Sequence, residues 1–158
     1  MKIDLSQATF IIPIRIESSD RLRNVITIVA FLVENFDTNI IVKEVDSTSV
    51  FQEQAMPILD EIVENGIWKN FNFIFEKSDA PLFHRQRVLN EMIIEADTDI
   101  VVNYDCDAIL SKESYKTAHD SIRDGKFDIV YPYGQGMYQK QVAATDEVVS
   151  NFLDKTDY

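Results

Sequence analysis

The sequence predicts an α/β fold, a three-layer arrangement of helices around a mostly parallel central sheet. Three observations predict it: short apolar runs alternate with longer amphipathic ones, the first short run is almost continuously apolar, and capping or turn residues stand at the junctions. A nearly continuous apolar run marks a strand covered on both faces, and strands joined through helices lie parallel. With 158 residues the chain is one domain's worth, enough to bury about two thirds of its unfolded surface around a single core.

Residues 9–16 are β-branched and nearly unbroken in apolar side chains, and form the first strand. Ser18 and Ser19 offer N-caps, Asp20 suits a first turn, and Leu22, Val25, Ile26, Val29, Leu32, Val33 and Phe36 recur at helical spacing, so a helix covers 20–36. Residues 39–45 make the second strand, ended by the turn formers Asp46, Ser47 and Thr48. A helix over 52–66 carries Ile58, Leu59, Ile62 and Val63 on one face, with Pro57 near its start and Gly66 at its stop. Residues 71–76 form a third strand, with Phe71, Phe73, Phe75 and the nearby Trp68 in the core.

Ser78, Asp79 and Pro81 lead into a helix with Val88, Leu89, Met92, Ile93 and Ala96 on its apolar face and Arg85, Arg87 and Asn90 among its polar positions. DIVVNY, residues 99–104, is the next strand and runs straight into Asp105, Cys106 and Asp107. Ser111 caps a helix over 112–124 that Gly125 stops, and 127–133 reads as a fifth strand. Residues 133–138, YGQGMY, form a loop too irregular to cradle phosphate, and 145–153 a last helix. No repeat or linker marks a domain boundary.

Charge narrows the partners: 15 Lys and Arg against 27 Asp and Glu give a net charge of −12, which repels nucleic acid and anionic bilayers. A phosphorylated ligand then requires a local set of donors or a metal. The single cysteine, Cys106, excludes an internal disulfide and any zinc site of several cysteines. No run reaches the ~18 to 20 apolar residues of a transmembrane helix, and residues 1–7 lack the layout of a signal peptide, so the expected setting is the cytoplasm.

Ligands of open parallel sheets bind beyond the carboxyl ends of the strands, which singles out Arg15, Glu17, Asp46, Asp105 and Asp107. Two carboxylates as close as Asp105 and Asp107 repel unless a proton or cation intervenes, and oxygen ligands suit Mg2+ or Mn2+. The plainer alternative is an acidic turn before the helix at Ser111. Cys106, between the two acids, should point back toward the core, and with no basic residue beside it and two carboxylates raising its pKa it is a poor nucleophile. His84 is expected to be a partly buried packing residue.

Four segments together resemble the nucleotide-binding half of GT-A glycosyltransferases, above all family 2-like enzymes and galactosyltransferase-like proteins of bacteria and phages. They are TFIIPIRIES (9–18), IIVKEVDST (40–48), FHRQRVLNEMIIEADTDIVVNYDCDAIL (83–110) and YPYG (131–134). The resemblance implies a C-terminally truncated GT-A domain that binds a UDP-sugar and passes the sugar to a glycan or other hydroxyl acceptor with Mn2+ or Mg2+. It implies Asp105 and Asp107 as the Asp-x-Asp pair, with Asp107 the direct metal ligand and Asp105 a contact to ribose or metal. Asp46 would meet the nucleobase, Pro13, Arg15 and Glu17 would form the first-strand loop around base and ribose, and Arg85 and Asn90 would approach the nucleotide. Arg15 and Arg85 are equally well read as surface charges paired with acids.

The acceptor-side segment and general base of that family have no counterpart in the motifs, so a further segment or a partner chain is expected to supply them. A non-catalytic nucleotide-binding or interaction module is the alternative. A haloacid-dehalogenase-like phosphohydrolase ranks below both: Asp-Cys-Asp-Ala-Ile resembles its nucleophile motif, but that motif normally lies on an early strand with partner motifs far downstream.

Overall fold

The computed structural model describes residues 1–63, 70–134, 145 and 147. Its strands are β1 (Ile3–Ile14), β2 (Phe36–Asp46), β3 (Phe71–Lys77) and β4 (Ile100–Asn103), and its helices α1 (Ser19–Asn35), α2 (Met56–Ile62), α3 (Arg85–Glu95) and α4 (Lys112–Arg123). The strands form one sheet in the order β3-β2-β1-β4, and every pairing is parallel. β1 starts earlier than expected, because Ile3 and Asp4 pair with Phe36 and Asp37 before the register shifts ahead of Thr9.

The unbroken apolar character of β1 follows from helices on both sheet faces. Phe10, Ile12 and Ile14 join Ile40 and Val42 beneath Val25, Ile28, Val29 and Leu32 of α1, with Leu59 of α2 and Tyr115 of α4 in the same cluster. The intervening Ile11 points the other way, to Ile41, Val45 and the α3 residues Val88, Leu89 and Met92. Each such buried aliphatic side chain contributes about 1.5–3 kcal/mol relative to exposure.

Ser18 caps α1, its hydroxyl accepting the Arg21 N–H at 3.3 Å, and β2 begins at Phe36 with no loop between. Within the apolar face of β2 lies Glu44, fully buried. Its carboxylate accepts the Ser49 hydroxyl at 2.6 Å and the N–H groups of Val50 and Phe51 at 3.0 and 3.2 Å, and so caps the helical segment that follows. Burial pushes the Glu44 carboxyl up, against the downward pull of these donors.

The expected helix over 52–66 is two pieces, a π turn at Phe51–Ala55 and then α2 with Pro57 in its first turn. Pro57 has no N–H to donate, so an α ladder cannot run through it unbroken. Phe51 stacks on Phe73, ring centres 4.8 Å apart, and less closely on Phe71. Phe75, expected in the core, is 36% exposed. Gly66 and Trp68, the loop at 135–138 and most of the helix over 145–153 lie outside the described residues.

α3 begins at Arg85, later than Ser78, Asp79 and Pro81 suggest, because the Arg15 side chain takes the Ala80 and Pro81 carbonyls. His84, just before it, is exposed where packing was expected. Ile93 is exposed as well, and the buried apolar residues of α3 that face the sheet are Val88, Leu89 and Met92.

α4 is capped by Ser111, which accepts the Ser114 N–H, and stops at Gly125, whose φ of 67° is the left-handed conformation glycine tolerates best. The fifth strand expected at 127–133 is not formed, and residues 130–134 line a cavity with Ser111 and with Ser114, Thr117 and Ala118 of α4. Its apolar side chains stay in solvent, Ile129 at 75% and Tyr131 at 72% exposure. Among the described residues no helix is long and apolar enough to cross a membrane.

Candidate functional site

Successive strands β1, β2 and β3 step one way across the sheet, whereas β4 is laid on the other side of β1. The carboxyl ends of β1 and β4 therefore part company at a topological switch point, where crevices form in parallel sheets. A cavity of about 350 Å³ occupies that position, lined by residues 13–16, Arg21, Phe83, Arg85, Asp105, Cys106 and Asp107.

Strand alternation decides which side chains reach it. The Tyr104 N–H donates to the Ile11 carbonyl at 3.1 Å and extends the β4 pairing, so Tyr104 points into the core beside Phe10 and Asp105 points to the opposite face. Cys106 again faces the core cluster, as expected, and its thiol is pushed up by burial and then by Asp107. That leaves it a poor nucleophile.

The loop after β4 is pinned from beneath. The buried hydroxyls of Tyr104 and Tyr115 are hydrogen-bonded to each other; Tyr104 also donates to the Ala108 carbonyl at 2.7 Å, and Tyr115 accepts the Leu110 N–H at 3.0 Å. Both phenols are pushed up, chiefly by burial, and stay neutral donors. Asp105 and Asp107 thus stand on a turn anchored at both ends, with their own side chains exposed.

Arg15 is held quite differently from a surface charge. With only 9% of its side chain exposed, it donates from Nε to the Val45 carbonyl at 3.0 Å and from its two Nη atoms to Pro81 and Ala80 at 3.4 and 3.2 Å. The Phe83 ring lies 5.7 Å from the guanidinium carbon. Five donors serve three carbonyls, so each Nη keeps one N–H without a carbonyl partner among the described residues. Arg85, by contrast, is a rim residue whose Nη2 bonds Asp105 Oδ1 and, at 3.2 Å, Asn103 Oδ1.

Of the residues singled out in the sequence, Pro13, Arg15, Arg85, Asp105 and Asp107 come together on this cavity, and Glu17, Asp46 and Asn90 do not line it. Asp46 touches it only through Arg15, with Oδ2 3.9 Å from Nε, while its Oδ1 accepts the Ser47 N–H at 2.7 Å. Glu17 is exposed and faces Arg21 at 3.8 Å. Asn90 is exposed on α3, five residues beyond Arg85 and so about 140° around the helix from it.

Sequence reasoning missed Arg21 and Asn103. Arg21 follows the Ser18 cap by three positions, which aims it back at the strand–helix junction; Asn103 is the polar residue that ends an otherwise apolar strand. Comparison with protein-family models finds no match for the chain, and none of the curated proteins matches it.

Proposed function

We propose that the chain is a metal-dependent glycosyltransferase of the GT-A type, or the donor-binding part of one, which transfers a sugar from a UDP-sugar to an acceptor hydroxyl in the cytoplasm. The observation that carries this reading is the convergence of Pro13, Arg15, Arg85, Asp105 and Asp107 on one cavity at the switch point of a parallel sheet.

The donor set fits Mn2+ or Mg2+, which commonly take one or two carboxylates from a protein and complete their shell with water and substrate phosphate. No group of three or more His, Cys, Asp or Glu gathers among the described residues, so Asp105 and Asp107 would share the ion with a diphosphate. Such an ion, when bound, neutralises charge on the departing UDP. Asp107, exposed and without an ion pair among the described residues, is the direct ligand, and Asp105 the contact to metal or ribose.

Arg85, Arg21 and the two remaining N–H groups of Arg15 offer the local positive field that a diphosphate needs in a chain of net charge −12. The immobilised Arg15 guanidinium orients a ligand without losing side-chain entropy on binding. A nucleobase contact at Asp46 would extend the ligand past Arg15 to the end of β2. The acceptor would be a glycan or other hydroxyl compound.

The test is calorimetric titration of UDP into the full chain with and without Mn2+, repeated on Asp107→Ala. The expected result is binding that needs Mn2+ and weakens about ten-fold or more in the variant. Binding indifferent to both rejects the reading. Release of free sugar from a UDP-sugar separates a transferase from a module that only binds.

A further inference from the structure

The two carboxylates of the Asp-x-Asp turn are unequal. Asp105 is held by the Arg85 guanidinium, whereas Asp107 makes no ion pair among the described residues. A carboxylate already paired with a cation is a weaker ligand for a second one, and a guanidinium spent on a carboxylate is withheld from phosphate.

The geometry says that this pairing is exchangeable. The side chains of Arg85 and Asp105 are 40% and 66% exposed, and ion pairs in such a setting contribute little. Arg15, on the same cavity, is buried and held by three carbonyls, and has no such freedom. Both bonds of Arg85 come from Nη2, which leaves its Nε and Nη1 donors unpartnered among the described residues, on a side chain that lines the cavity. Asn103 is the second acceptor, a neutral one, and it can keep the guanidinium at the rim when the carboxylate is withdrawn.

We infer that Arg85 is an exchanging residue, an inference that rests on the glycosyltransferase reading above. In the free chain it neutralises Asp105; when Asp105 is taken as an oxygen ligand, Arg85 releases it and turns its fork to the diphosphate, steadied by Asn103. No covalent bond changes. The positive charge removed from Asp105 is the one delivered to the phosphates, so the empty site holds its acids without strong repulsion and the filled site keeps every charge paired.

Exchange makes a prediction that a purely structural ion pair does not share: loss of Arg85 acts in opposite directions on two ligands. The experiment is calorimetric titration of the full chain with Mn2+ alone, and with UDP at saturating Mn2+, for the wild type, Arg85→Gln and Arg85→Lys, with circular dichroism as the folding control. Arg85→Gln should bind Mn2+ alone about two- to five-fold more tightly, the competitor being a surface pair. The same variant should bind UDP with Mn2+ about ten-fold or more weakly.

Arg85→Lys keeps a cation beside Asp105 but loses the planar fork, so its Mn2+ affinity should stay at the wild-type value while UDP binding falls. This variant carries the test where Arg85→Gln does not fold. Unchanged or weakened Mn2+ binding in Arg85→Gln, or UDP binding retained in both variants, overturns the exchange while leaving the metal site standing. A wild-type chain that binds UDP without regard to Mn2+ overturns the glycosyltransferase reading, and the exchange with it.

Discussion

The Tyr104 and Tyr115 hydroxyls meet in the core and between them hold the Ala108 carbonyl and the Leu110 N–H, so a pair of buried phenols fixes the turn that presents Asp105 and Asp107. Tyr115→Phe removes the acceptor of the Leu110 N–H and one partner of Tyr104, with almost no change in packing volume. Urea unfolding should show a loss of about 1–3 kcal/mol. An unchanged midpoint would mean that the turn holds itself.

Arg15 ties the ends of β1 and β2 to the segment before α3. Arg15→Ala strands the buried Val45 carbonyl and leaves those of the exposed Ala80 and Pro81 to solvent, and should cost about 1–3 kcal/mol in the same measurement. Arg15→Lys should recover only part of this, because one ammonium cannot span three carbonyls set around a planar fork.

Glu44 predicts a pH dependence of opposite sign to the usual carboxylate. Its pKa in the fold is raised, first by burial, so the folded chain holds the proton more tightly than the unfolded chain, whose reference value is 4.5. Stability from this group is fully present below that value and is lost as pH rises through the raised one. The stability of the wild type relative to Glu44→Gln should therefore decline as pH climbs above 4.5. A difference that grows with pH would show the three donors outweighing burial.

The exposed segment after Gly125 predicts tolerance. Ile129 is 75% exposed, and Ile129→Ser should change stability by no more than about 0.5 kcal/mol, whereas a residue in a fifth strand would cost several times that. Thermal unfolding of the single variant decides between the two arrangements.

The layering of this fold was legible in the sequence wherever a feature is local. The unbroken run in β1, the Ser18 and Ser111 caps and Gly125 each act within a few residues, and each stands where the pattern set it. The start of α3 was not legible, because it depends on Arg15 capturing carbonyls 65 and 66 residues away. Strand propensity likewise could not tell that 127–133 would form no strand, since pairing is a property of the partner as much as of the segment.

At the candidate site the division is the same. Asp105 and Asp107 were visible as two acids after an apolar strand, and alternation alone turned Cys106 inward. The sequence by itself determined which residue types stand at the strand ends and how the apolar faces are laid out. Only the tertiary structure decided that Arg15 is buried as a tie, that Arg85 shields one aspartate and leaves the other bare, and that Asn90 faces elsewhere. The physical reason is that side-chain periodicity is a property of each element alone, whereas charge pairing depends on which strand ends the sheet order sets side by side.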